Sequence, residues 1–128
     1  MNLGNLKGLE ELYLSGTTIK ELPSSIEGLT SVTLLTLKDC KNLVYLSITI
    51  CSVKLLECLD LSGCLNCDNL PENLENLNGL KKLYLSGTTV KKLPSSIECL
   101  MALALLTLKV CKNLVCLPKA ICSLKLLE

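Results

Sequence analysis

The sequence predicts an α/β solenoid, a chain wound into stacked coils with a row of short parallel strands along one face. Three observations predict it. The stretch LEELYLSGTTIKELPSSIEGL, Leu9 to Leu29, returns almost letter for letter as LKKLYLSGTTVKKLPSSIECL, Leu80 to Leu100. A Leu-x-Leu pair recurs at Leu12/Leu14, Leu35/Leu37, Leu59/Leu61, Leu83/Leu85 and Leu106/Leu108, at steps of 23, 24, 24 and 23 residues. Of the 128 residues 49% are apolar, yet three are Tyr and none is Phe or Trp. The core must therefore be Leu, Ile, Val and Cys. That suits a ladder of similar coils better than a globular core, which needs large and small shapes to interlock.

The rest of each unit keeps the same register. After the leucine pair come Thr17, Cys40, Cys64, Thr88 or Cys111, then Ile19, Leu43, Cys67, Val90 or Leu114. Leu22, Leu46, Leu70, Leu93 and Leu117 follow, with proline next in four units (Pro23, Pro71, Pro94, Pro118) and Ser47 in its place in the second. Each unit closes on an apolar pair, such as Ile26/Leu29 or Ile97/Leu100. This is the L-x-x-L-x-L-x-x-N/C-x-L pattern of the leucine-rich repeat, which places parallel strands on a concave face and short helical or extended turns on the convex face. The organisation it gives is a single domain: a partial repeat at 1–8, repeats 9–31, 32–55, 56–79, 80–102 and 103–126, and the start of a further one at 127–128.

Taken in order, Met1 to Gly8 aligns with Glu72 to Gly79, the second half of a repeat. The first full repeat opens with a strand predicted over Glu10 to Ser15, Leu12 and Leu14 facing in and Glu11, Tyr13 and Ser15 facing out, by the two-residue period. Ser15-Gly16 turns the chain, and Thr17 is expected to bond backbone groups inside the turn. Pro23 stops any further strand. Ser24-Ser25-Ile26-Glu27 reads as a capping box at the start of a helical turn, with Gly28 ending it. Too short to persist alone, that turn relies on packing of Ile26 and Leu29. In the second repeat Ser47-Ile48-Thr49-Ile50 lacks proline and is β-branched, which predicts an extended convex segment. The third carries CLDLSGC and LPENLENL; the fourth repeats the first, and the fifth repeats the second. A single coil cannot bury its apolar side chains, so the coils must stack.

A longer period overlies the short one. Residues 3–57 align without gaps on 74–128 with about two-thirds identity, a duplicated block of three coils. Inward positions are kept or exchanged for similar residues, as in Ile19/Val90 and Val53/Leu124, while Glu10/Lys81, Glu11/Lys82 and Glu21/Lys92 reverse charge. The first block holds five Lys against six acids and the second eight Lys against three, so a net charge of +1 hides an acidic start and a basic end.

Several function classes are excluded or disfavoured. The chain has no His, so Ser-His, Cys-His and His-metal arrangements cannot be built from it. Neither a G-x-x-x-x-G-K-[ST] loop nor G-x-G-x-x-G occurs. Ser-Gly-Thr-Thr at 15–18 and 86–89 reads as a turn rather than a phosphate nest, because it recurs at the same place in each copy. The nine cysteines form one close pair, Cys64-x-x-Cys67. Cys40, Cys64 and Cys111 fill the repeat's N/C position, Cys67 an inward leucine position, and Cys51 and Cys122 recur in register. They read as reduced, buried thiols rather than disulfides or metal ligands. The near-neutral charge gives no case for nucleic acid, and no apolar run approaches the length of a membrane span. No signal peptide or Asn-x-Ser/Thr site is visible, so the expectation is an intracellular chain, not an enzyme, with no catalytic, cofactor-binding or metal-binding residues and no cofactor.

What remains is surface. The outward strand columns are Glu11, Leu34, Cys58, Lys82, Leu105; Tyr13, Thr36, Asp60, Tyr84, Thr107; and Ser15, Lys38, Ser62, Ser86, Lys109. They form a candidate partner-binding concave face, with Tyr13 and Tyr84 as aromatic anchors; the plainer alternative is a solvated strand face.

The wording of the repeats, beyond their period, resembles the leucine-rich repeats of plant intracellular immune receptors. LYLSGTTIKELPSSIEGL, LLTLKDCKNLVYL and CLDLSGCLNCDNLPENLENL are similar to those of the TIR–nucleotide-binding–leucine-rich-repeat disease resistance proteins, across essentially the whole chain. The Gly-x-Ile-Pro signature of extracellular plant receptor repeats is missing. The resemblance implies a recognition module in defence, cytoplasmic or nucleocytoplasmic, that binds a pathogen effector, a host partner or the receptor's own other domains. The chain has no TIR or nucleotide-binding domain, so it reads as a fragment of such a receptor. The alternative is a structural spacer or truncated fragment with no ligand. An uncapped solenoid fragment is also expected to self-associate.

Overall fold

The computed structural model describes residues 8–44, 46, 48–66, 68, 70–115 and 126–127. Six short strands, β1 (Glu11–Tyr13), β2 (Leu34–Thr36), β3 (Cys58–Asp60), β4 (Lys82–Tyr84), β5 (Leu105–Thr107) and β6 (Leu126–Leu127), form one sheet in chain order. Every pairing is parallel, and Leu12, Leu35, Leu59, Leu83, Leu106 and Leu127 stand in register across it. This is the solenoid that the leucine pairs predict. Each coil returns its next strand beside the last, and the inward leucines stack into a column that is almost entirely buried from Leu35 to Leu106.

Strands β1 to β5 span three residues each and β6 two, shorter than the segment expected from Glu10 to Ser15. Bonding between coils nonetheless runs on past them. Leu14 N–H donates to Thr36 O at 2.9 Å and Gly16 N–H to Lys38 O at 2.9 Å, and on the other side Thr33 N–H donates to Glu10 O at 2.8 Å. The strands end because the chain turns at one fixed position through a left-handed residue: Gly16 (φ 72°), Asp39 (58°), Gly63 (75°), Gly87 (75°) and Val110 (58°). At Gly63 there is a second reason for glycine, since a methyl group there would overlap the Asp39 carboxylate of the preceding coil.

On the opposite side lie, among the described residues, four 3₁₀ turns: η1 (Ser24–Gly28), η2 (Ile48–Ser52), η3 (Leu74–Asn76) and η4 (Ser95–Cys99). Three expectations are corrected here. The capping box at Ser24 does not form: the residue preceding the turn is Pro23, with no side-chain cap bond, and its carbonyl accepts Ile26 N–H at 3.1 Å. A turn with i→i+3 bonds closes one residue earlier than an α-helix, which places Ser24 inside it. Pro94 does the same for η4, accepting from Ile97 N–H at 3.1 Å. The second repeat's convex segment is likewise helical, not extended. Ile50 is fully buried, its carbonyl accepts Val53 N–H at 3.2 Å, and η2 packs between η1 and η3. Stacking overrides the β-branched preference of the local sequence. Gly28 is the last residue of η1, but the cap is Leu29, whose N–H donates to Ile26 O at 3.0 Å, and η4 ends the same way on Cys99 without a glycine.

The core is one continuous column of Leu, Ile, Val and Cys, closed by Ile26, Leu29, Leu74, Leu77 and Ile97 on the convex side. The expected partial repeat over Met1 to Lys7, the Ser47 substitution, Cys67, and the closing positions Leu117, Pro118, Ile121, Cys122, Leu124 and Glu128 lie outside the described residues.

Candidate protein-binding face

Two-residue alternation along each strand turns the residues flanking the central leucine outward. The register therefore aligns Glu11, Leu34, Cys58, Lys82 and Leu105 in one row, and Tyr13, Thr36, Asp60, Tyr84 and Thr107 in another. Ser15, Lys38, Ser62, Ser86 and Lys109 follow, one residue beyond the second leucine of each pair, which is buried at Leu37, Leu61 and Leu85 and partly buried at Leu14 and Leu108.

Exposure divides these positions. Glu11, Tyr13, Ser15, Lys38, Lys82 and Lys109 are exposed, while Leu34, Thr36, Cys58, Asp60, Ser62, Tyr84, Ser86 and Leu105 are half-buried. Thr107 is buried, and its hydroxyl accepts Leu85 N–H at 3.2 Å, so this member of the row is spent on holding two coils together. Part of the third row does similar work: the Ser15 and Thr36 hydroxyls meet at 2.9 Å and Ser86 Oγ accepts Lys109 N–H at 3.0 Å between coils, while within one coil the Asp60 carboxylate accepts Ser62 N–H at 2.9 Å.

The two tyrosines differ. Tyr13 is 64% exposed and donates its hydroxyl to Glu11 at 3.0 Å; accepting that bond, the carboxylate holds the phenol above its usual pKa. Tyr84 is half-buried and lines a hollow of about 480 Å³ with Glu11, Leu34, Cys58 and Lys82. Thr33, Glu57 and Lys81 complete the lining, and Glu57 pairs with Lys81 at 3.1 Å. These last three were missed in the sequence reading. They sit just before the strands, where alternation no longer tells which way a side chain points; the signal available was the charge reversal Glu10/Lys81. The hollow thus brings together the first row from Glu11 to Lys82 and Tyr84 from the second. Tyr13, Thr36, Asp60, Leu105, Thr107 and the whole third row lie outside it.

Chemically the hollow offers an acid at one end, an ammonium at the other and a half-buried aromatic beside it. Cys58, in its middle, is pushed above the usual thiol range by burial and by Asp60, with Lys82 opposing. Burial, helped by Glu75, pushes Cys51 up to about 11. None of the described cysteines Cys40, Cys51, Cys58, Cys64, Cys99 and Cys111 is in a disulfide. Those at the repeat's N/C position donate to a carbonyl of the preceding coil: Cys40 to Leu14 O at 3.1 Å, Cys64 to Leu37 O at 3.2 Å, Cys111 to Leu85 O at 3.1 Å. In the fourth coil Thr88 donates to Leu85 O of its own turn at 2.8 Å, the backbone bond expected of Thr17, whose own hydroxyl meets the Cys40 thiol at 3.5 Å instead. Among the described residues no group of three or more Cys, Asp or Glu could hold a metal ion, and no helix is long and apolar enough to cross a membrane.

Comparison with known proteins adds the family. The model of the family "Leucine Rich Repeat" matches residues 8–29 and 55–77. A probable disease resistance protein of Arabidopsis thaliana is 42% identical over 121 residues, covering 88% of this chain and 7% of that one. The TMV resistance protein N of Nicotiana glutinosa is 41% identical over 95 residues, covering 73% and 8%. This is a leucine-rich-repeat chain of the disease-resistance kind. The disease resistance protein RPS4 of Arabidopsis thaliana agrees, at 35% identity over 120 residues, 94% of this leucine-rich-repeat chain and 9% of RPS4. The chain spans less than a tenth of the length of these relatives. In structure the leucine-rich-repeat chain is similar to the leucine-rich repeat domain of the type III effector XopL, with a TM-score of 0.79 at 23% identity over 98% of this chain and 52% of the other. A leucine-rich-repeat protein of Leptospira interrogans follows with a TM-score of 0.62 at 23% identity, over 98% and 43%. At that identity the likeness speaks for the solenoid fold alone.

Proposed function

We propose that this repeat array is the recognition module of an intracellular plant immune receptor, acting in the cytoplasm or nucleocytoplasm. In this reading its sheet face binds a protein: a pathogen effector, a host partner or the receptor's own other domains. The observation that carries the reading is the hollow between Glu11 and Lys82. Duplication reproduces the buried leucines while the outward residue reverses from acid to base, and both ends of that reversal line one recess with Tyr84. A decaying array would lose its core as readily as its surface. Opposed charges at the two ends steer a partner and fix its direction along the solenoid more than they add affinity.

The test is a binding series, by surface plasmon resonance, against the nucleotide-binding region of the receptor that carries these repeats and then against candidate effectors. Exchanging Glu11→Lys together with Lys82→Glu should slow association. Tyr84→Ala should weaken binding more than either charge alone, because desolvated aromatics dominate interfaces. Unchanged affinity in all variants, with circular dichroism unaltered, would remove the face from the argument and leave a structural spacer.

A further inference from the structure

The loop that follows the turn comes in two lengths. From Leu85 to Leu93 the chain runs one residue shorter than from Leu61 to Leu70 or from Leu108 to Leu117. The short form reads Thr88-Thr89-Val90, where its neighbours carry Cys64-Leu65-Asn66-Cys67 and Cys111-Lys112-Asn113-Leu114. A short coil between two longer ones leaves a notch at the rim of the sheet. It is about 270 Å³, with Gly87, Thr88 and Thr89 from the short coil, Leu65 from the coil before, and Val110, Lys112 and Asn113 from the coil after.

Its chemistry is specific. Leu65 and Val110 are large apolar side chains left 50% and 69% exposed on its two sides. Lys112 is exposed and makes no ion pair among the described residues. The Thr88 hydroxyl is engaged by Leu85 O and the Cys111 thiol, but Thr89 Oγ1 is buried in the wall with no partner among the described residues. A buried hydroxyl without a partner is costly, and rotation about χ1 exchanges it with the methyl group. The volume is below that of usual small-molecule sites, roughly 300–1,000 Å³, and a single cation matches a single negative charge.

We propose that this notch receives one acidic side chain, Asp or Glu, from an extended segment of a protein partner. Its carboxylate pairs with Lys112 and accepts from Asn113 and from the turned Thr89 hydroxyl, while its methylenes lie against Leu65 and Val110. The surrounding half of the chain, 74–128, holds eight Lys and three acids, which favours that charge. The first copy of the short loop, Thr17-Thr18-Ile19, supplies an internal contrast: there Asp39 stands where Val110 does here, and repels an acid. The notch shares no residue with the concave face proposed above and is tested apart from it.

The test is a titration of the whole ¹⁵N-labelled chain with the blocked dipeptide acetyl-Leu-Glu-amide and its neutral isostere acetyl-Leu-Gln-amide. The acidic peptide should shift the Thr88, Thr89 and Asn113 amides saturably and leave Thr17 and Thr18 unmoved, and the neutral one should bind about five-fold more weakly, the upper worth of a solvent-exposed ion pair. Lys112→Gln should abolish the difference between the peptides. Thr89→Val should weaken the acidic peptide while leaving the urea midpoint unchanged or raised, since it removes a hydroxyl without a partner. Equal response to both peptides, no saturable shift up to about 20 mM, well beyond a millimolar site, a preference that survives Lys112→Gln, or a lowered midpoint for Thr89→Val would each overturn the proposal.

Discussion

Replacing Val110 by glycine should stabilise the chain. Five coils turn through the same left-handed position, and three fill it with glycine. Asp39 is tolerable there, because a short polar side chain can bond its own backbone. Val110, at φ 58°, is the outlier: a β-branched side chain in this region carries roughly 1–3 kcal/mol of strain. Two terms oppose the relief. Glycine adds freedom to the unfolded chain, a loss of about 0.5–1 kcal/mol. Because Val110 is 69% exposed, its removal forfeits only about a third of a buried valine's worth, roughly 0.5 kcal/mol. Near the middle of these ranges the net gain is about 0.5–1 kcal/mol. With a urea dependence of about 1–3 kcal/mol per molar, the midpoint followed by circular dichroism should rise by a few tenths of a molar. Asp39→Gly is the control. It should gain nothing, since Asp39 is not strained in the same way and its carboxylate packs beside Gly63. A midpoint for Val110→Gly at or below the parent, or an equal gain for Asp39→Gly, would refute the strain argument.

Gly63→Ala should cost more than Gly16→Ala in the same urea assay. Both need φ above +70°, about 1–2 kcal/mol for a residue with Cβ, but only at Gly63 does the methyl also meet Asp39, while nothing stands within 4 Å at Gly16. Ile50→Ala should lose about 2–5 kcal/mol and Ile50→Val about 0.5–1.5, since this fully buried side chain holds η2 in its helical turn; near-neutral Ile50→Ala would show that local sequence, not stacking, sets that turn. Iodoacetamide with mass mapping should label exposed Cys99 first and buried Cys40, Cys51 and Cys64 last. For Cys51, raised to about 11, thiolate is scarce at pH 8, so its labelling should accelerate only as pH approaches that value. The sign for stability follows: a thiol whose folded pKa is raised favours folding below its ordinary value of about 9 and loses that contribution as pH rises toward 11. Labelling of Cys51 as fast as Cys99 at pH 8 would contradict the burial.

Leucine spacing made the sheet legible residue by residue, because a one-residue slip would have put Leu12, Leu35 and Leu59 on the solvent side. The same rule placed the outward rows from Glu11 to Leu105 and from Tyr13 to Thr107. Legibility fails wherever contacts between coils decide. Ile48–Ser52 reads as extended by itself and is helical once Ile50 packs between its neighbours. Ser24 fits a cap motif, yet Pro23 occupies that place. Cysteines at the N/C position read as small apolar residues; their second role, donating to Leu14, Leu37 and Leu85 carbonyls, exists only between coils. Thr107 looks outward by period and is buried where its hydroxyl accepts Leu85 N–H of the preceding coil. Of the hollow, Glu57, Lys81 and Thr33 escaped notice because they lie beyond the strand period.

The order of the strands along the sheet is the order along the chain, and among the described residues the main strand and convex-turn contacts join successive coils. With energy set by nearest neighbours, what matters to a genome is which coil types may sit side by side. Short Thr coils and longer Cys coils follow in the order short, long, long, short, long. Copying the three-coil block therefore creates no junction that the parent array had not already accepted. Unequal exchange between such blocks can lengthen or shorten the array by 71 residues without a fresh packing problem to solve. Outward positions that bond no neighbouring coil are left to diverge, as Glu11 and Lys82 already have.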